Sequence, residues 1–109
     1  MAEVYEIILQ YDATNALADA YTVPALTSHV ISTINICNYS ATPRWITIKI
    51  AKAGAGNADS QYIYASLIIA ANDTFQTTAG ITIEATDVVR VQAEVNSAIS
   101  VNMFGTTIT

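Results

Sequence analysis

Residues 44–50 read Arg44-Trp45-Ile46-Thr47-Ile48-Lys49-Ile50. Along an extended backbone successive side chains point to opposite faces. Ile46, Ile48 and Ile50 therefore share one side, and Trp45, Thr47 and Lys49 share the other. A helix would scatter both sets around its circumference. The stretch predicts a half-buried antiparallel strand with its isoleucines in a core.

The same alternation recurs on both sides of it. Toward the C-terminus, a flexible connection at Ala53–Ser60 precedes a strand over Gln61–Ala70. There Ile63, Ala65, Leu67 and Ile69 point inward, and Tyr62, Tyr64 and Ser66 point outward. Thr74–Thr77, Ile81–Thr86, Val88–Val95 and Ile99–Met103 follow as strands, and Gly105 marks a bulge or kink before the last residues. Toward the N-terminus, His29–Asn38 is a strand, and Tyr21–Val23 is a short one stopped by Pro24. Asp12–Ala20 reads as a loop with one helical turn capped by Asp12. In Met1–Tyr11, Tyr5, Ile7, Leu9 and Tyr11 occupy one face and Val4, Glu6, Ile8 and Gln10 the other. Both faces carry apolar residues, as in a strand that packs on two sides, pairs with a neighbouring subunit, or forms an ordinary sheet edge. This spacing of turns and strands predicts an all-β domain, an antiparallel β-sandwich (jelly-roll or immunoglobulin-like) of about eight or nine strands. Residues 1–109 form one domain, with residues 1–19 set apart as a candidate N-terminal extension or arm.

Composition narrows the function. Of 109 residues, 52% are hydrophobic and only 12% charged, against about 25% charged in an average soluble domain. Fourteen Thr supply part of the polar surface. The remaining apolar excess points to surface buried against other subunits. The net charge of −5 and the four basic residues, Arg44, Lys49, Lys52 and Arg90, leave no patch to neutralise phosphates or anionic lipid. Nucleic acid and membrane are thus not expected partners. The N-terminus lacks the positive and apolar regions of a secretory signal. Cys37 has no second cysteine to pair with, as in a protein made in a reducing cytoplasm.

No catalytic constellation emerges. His29 is the sole imidazole, and a triad would need an activated serine and an orienting acid beside it. One His and one Cys make no zinc site. Gly54-Ala55-Gly56 lacks the remainder of a phosphate loop. We therefore expect no enzyme, no cofactor and no metal. Asn38-Tyr39-Ser40 and Asn72-Asp73-Thr74 match the glycosylation acceptor pattern only by chance, given the absent signal. The aromatic residues carry more information. If the strands of Trp45 and of Tyr62 and Tyr64 pair, these three form an exposed cluster suited to an interface or to stacking on sugars, or else a loop or the N-terminal segment covers part of that outward face. With Tyr5, Ile7, Leu9 and Tyr11 they are the candidate protein-interface residues.

Several runs carry a resemblance: Ala20-Tyr21-Thr22-Val23-Pro24-Ala25, Val30–Asn38, Ile46–Ile50, Ala71–Thr74, and Gly80-Ile81-Thr82-Ile83-Glu84-Ala85-Thr86-Asp87-Val88-Val89-Arg90-Val91. Over residues 20–109 the chain resembles small β-sandwich virion proteins of tailed bacteriophages, among them capsid decoration (cement) proteins. Leu26 departs from that pattern, which carries glycine after Pro-Ala. The resemblance implies a non-enzymatic protein made in the host cytoplasm and placed on the capsid surface of the virion. It implies a homotrimer whose partner is the phage major capsid protein. A tail, baseplate or fibre accessory domain, and a carbohydrate-binding module, are the alternative expectations.

Overall fold

The computed structural model describes residues 2–109, and eight strands carry its architecture. In chain order they are β1 (Glu3–Asp12), β2 (Ala18–Thr22), β3 (Ser28–Asn38), β4 (Arg44–Ala51), β5 (Tyr62–Ile69), β6 (Asp73–Glu84), β7 (Val88–Ala93) and β8 (Ile99–Ile108). All pairing is antiparallel. The first sheet has the order β1-β8-β3-β6 and the second β2-β7-β4-β5. First pairs with last, second with seventh, third with sixth and fourth with fifth. That nesting is a long hairpin rolled into two sheets, the jelly roll, and it decides between the two sandwich types expected from sequence.

The core lies between the sheets. Ile46 and Ile48 of β4 face it together with Ile31, Ile34 and Ile36 of β3, Val89 and Val91 of β7, and Val101 and Met103 of β8. The isoleucines that announced the fold are therefore where alternation placed them, with Ile50 half-buried at the edge of the cluster.

Two segments differ from the sequence reading, each for a physical reason. Asp12–Ala20 makes no helical turn: β1 runs through Asp12 and β2 begins at Ala18, because backbone pairing to β7 outweighs a short, weakly amphipathic segment. Thr74–Thr77 and Ile81–Thr86 are one strand, β6, whose supposed turn at Thr78–Gly80 is a register shift beside β3. β8 continues through Gly105, and the bulge expected there lies on the facing strand, at Ser32 of β3. Within the segment 1–19, set apart above as a candidate extension or arm, residues 3–12 run along β8 as an edge strand, one of the alternatives kept open for them, with Leu9 only 7% exposed.

Bulges break the alternation at decisive places. β1 carries one extra residue at Ile8 relative to β8, and β3 one at Ser32. β5 carries two relative to β4, one at Ile63 and one between Tyr64 and Leu67, where Ser66 has φ 51°. Each extra residue swaps the faces of everything beyond it.

Candidate functional site

The bulge at Ile8 divides the N-terminal candidates. Tyr5 and Ile7 lie outward and exposed, Tyr5 at 86%. Beyond the bulge Leu9 is buried and Tyr11 is half-buried against the core. The four do not share one face. The extra residue Ile63 in β5 separates the two tyrosines in the same way. Tyr64 pairs with Ile48 across the strands and turns inward, edge-on to Phe75 of β6 at 5.6 Å between ring centroids. Tyr62 stays outward opposite Lys49, whose Nζ stands 4.2 Å from its ring centre. Trp45 lies opposite Ile68, not opposite either tyrosine. The expected three-ring cluster does not form.

What forms instead is a set of exposed apolar side chains at two strand edges. Val4, Tyr5 and Ile7 line β1; Tyr62, Ile63 and Ile68 line β5, Ile68 at 72% exposure beside half-buried Trp45. Alternation puts Ile68 on the outward side of its strand and Val4 on the face opposite Tyr5, and both are solvent-exposed.

Leu26 is 91% exposed and holds φ 59° in the turn between β2 and β3. This is the left-handed conformation that glycine adopts freely and a bulky side chain rarely does. Leu26 borders an open cleft of about 480 Å³ lined also by Ser28, Glu84, Ala85, Ile108 and Thr109.

Charge is unevenly placed. All four cations belong to β4, to β7 or to Lys52 just after β4. β1 carries Glu3, Glu6 and Asp12 and no cation. The outward face of the first sheet presents Thr33, Thr74, Thr78, Thr82 and Thr106 with a row of amides, Gln10, Asn102, Asn35 and Gln76. These side chains replace the charges that the composition lacks.

Residues 52–61, which include the Ala53–Ser60 stretch expected to be a flexible connection, are strapped over the outward face of the second sheet. Arg90 donates to Asp19 Oδ1 at 2.9 Å and reaches Gly54 O at 3.4 Å. Asp87 accepts from the backbone N–H of Ala53 at 2.8 Å, and Gln61 donates to Gly56 O at 2.7 Å. Lys49, only 3% exposed, donates to Asn57 Oδ1. Burial of this lysine is tolerable because a side-chain oxygen and an aromatic face replace its water. Asn38, in a glycosylation-like triplet, is fully buried and spends its amide on Thr42 O and Ile69 O at 2.9 Å each. It is a loop anchor.

His29 sits in the core, bridging the sheets. Its Nε2 and the Tyr21 hydroxyl are 2.7 Å apart, and its Nδ1 and the Thr107 hydroxyl 3.0 Å. No serine or acid completes a triad on it; its hydrogen-bond partners are Tyr21 and Thr107. Burial pulls its pKa below the usual 6.5, and the Glu6 carboxylate partly opposes this. The sign follows: the unfolded chain takes up a proton near pH 6.5 while the fold resists it, so stability is level above that pH and falls below it. His29→Gln should flatten that part of the curve. Melting temperatures of both proteins at pH 7.5 and 5.5 test this; a wild-type loss no larger than that of the variant refutes it.

Among the described residues no three His, Cys, Asp or Glu side chains converge as a metal site would require, and no helix is long and apolar enough to cross a membrane. Comparison with known proteins finds no matching family model and no matching curated protein.

Proposed function

We propose that this chain is a structural virion protein of a tailed phage, a capsid decoration protein that forms homotrimers and stabilises the head by bridging major capsid subunits. The observation that carries this reading is the exposed apolar side chains along the β1 edge, on a chain of which only 12% is charged. Solvated apolar side chains grouped at a strand edge favour a macromolecular partner. The jelly roll recurs in viral capsid proteins, and equally in lectins and cupins, so the fold alone does not choose among them. The sequence resemblance of residues 20–109 supplies the choice.

The mechanism is mass action. A protein that binds only the assembled lattice stabilises it by about 2.7 kcal/mol when free protein is at a hundred times its dissociation constant. Virions labelled with antibody to this protein should show label over the head in electron micrographs. Heads stripped of it should open at lower temperature, and added protein should restore them. Label on the tail would replace this reading with a tail or fibre accessory. Binding to glycans that depends on Trp45 would replace it with a carbohydrate module.

A further inference from the structure

We infer that the outward face of the first sheet binds a neutral polysaccharide along a row of four amides, Gln10, Asn102, Asn35 and Gln76. This goes beyond the reading above and can fail separately from it.

Alternation turns the row toward solvent. Asn35 lies between Ile34 and Ile36, and Asn102 between Val101 and Met103, all four neighbours at most 1% exposed. Because those side chains point into the core, both amides point out. Gln10 follows buried Leu9, and Gln76 follows Phe75, which packs against the core; both glutamines are exposed. Register then aligns the four. Gln10 stands opposite Asn102, Asn102 opposite Asn35, and Asn35 opposite Gln76. Neighbouring strands lie about 4.8 Å apart, so the row spans about 14 Å with one amide per strand. The chain has only seven Asn and four Gln among its 109 residues. Four of them in one cross-strand line is more than such a composition would scatter there.

The chemistry of the row selects the ligand. Each amide offers a carbonyl acceptor and an NH2 donor side by side. That pair matches neighbouring hydroxyls of a sugar, each of which donates and accepts. Asn35 Oδ1 is shielded and has no hydrogen-bond partner among the described residues, and such an oxygen calls for a partner from outside the chain. Phe104, two residues beyond Asn102 on the same face, offers a ring on which the C–H face of a sugar can lie, and Thr33 stands opposite it.

Charge narrows the class. β1, β8, β3 and β6 carry no Lys or Arg, and their carboxylates, on Glu3, Glu6, Asp12, Asp73 and Glu84, lie outside the row. Such a face repels nucleic acid and sulfated or uronic polymers. An uncharged polymer meets no such barrier. Small molecules need a concave site, whereas a line of donors and acceptors on a sheet face suits an extended chain.

The test is affinity electrophoresis of the full chain in native gels containing mannan, glucomannan or dextran, with heparin as the anionic comparison. At least one neutral polymer should retard the wild type, and heparin should not. Asn35→Ala combined with Asn102→Ala should weaken the retardation about tenfold or more, the loss expected when two amides give up their hydrogen bonds. Gln10→Ala combined with Gln76→Ala, at the exposed ends of the row, repeats the test if the central pair melts early. Trp45→Ala, on the second sheet, should bind as the wild type does. The inference is overturned by no retardation in any neutral polymer, by equal retardation in heparin, by unchanged retardation in both double variants, or by its loss in Trp45→Ala. Self-association in light scattering that the double variants abolish also overturns it, and assigns the row to a second copy. Head labelling of virions is unaffected by any of these results, so the two readings are separable.

Discussion

Gly105→Ala should prevent the domain from folding stably. A Cβ built on Gly105 would stand 1.9 Å from the carbonyl oxygen of Val30, 2.9 Å from its carbonyl carbon and 3.0 Å from Cα of Ile31. All three atoms are backbone of β3, the central neighbour of β8, so no side-chain rotation can relieve the clash. The site lies where Ser32 bulges β3 against β8, with the Ser32 hydroxyl donating to Phe104 O at 3.2 Å. Overpacking a core costs about 1–3 kcal/mol and sometimes more. Displacing two central strands belongs at the top of that range, about 3 kcal/mol at least, against total stabilities of roughly 5–15 kcal/mol. Gly80→Ala is the control. Its added Cβ meets nothing within 4 Å, and it should leave denaturant midpoints nearly unchanged or raise them slightly through reduced freedom of the unfolded chain. Equal midpoints for the two variants would show that the close approach at Gly105 is not what the residue is for.

The second large effect is expected at Ile48. It is fully buried on β4, flanked by Val91 of β7 and Tyr64 of β5, and it faces the other sheet. Removing three carbons leaves a cavity between two hydrogen-bonded sheets, which cannot collapse without breaking pairing. Ile→Ala changes at such sites cost about 2–5 kcal/mol. At ~4 °C per kcal/mol for a domain of this size, Ile48→Ala should lower the melting temperature by about 8–20 °C. Ile48→Val, losing one methylene, should cost about 0.5–1.5 kcal/mol. The graded pair is diagnostic: a loss at alanine no greater than at valine would mean that the site is not tightly packed.

Much of the fold was legible in residue types. Ile46 and Ile48, alternating with Trp45, Thr47 and Lys49, disclosed β4 and its inward face correctly. Pro24 ended β2 within two residues, and the Asn38–Pro43 turn separated β3 from β4 as read. The candidate surface was less legible. Tyr5 and Leu9 look equivalent by alternation, yet one is among the most exposed side chains and the other is core. Tyr62 and Tyr64 look equivalent too, yet the extra residue Ile63 between them parts them.

The reason lies in what a bulge depends on. Strand character and core composition follow from local periodicity and burial, both written in neighbouring residues. An extra residue in a ladder depends on how two distant strands fit, and Ile8, Ile63 and Ser66 bear no glycine or proline to announce it; only the bulge at Ser32 is announced, by Gly105 on the facing strand. A single such residue reverses every side chain beyond it. Lys49 teaches the same lesson from another direction: alternation placed it outward, and only the strap 52–61 folding back makes that outward position buried. Alternation alone thus sufficed for an all-β sandwich and its isoleucine core. Long-range pairing chose the jelly roll, set the bulges, and so selected which apolar side chains of β1 and β5 meet solvent.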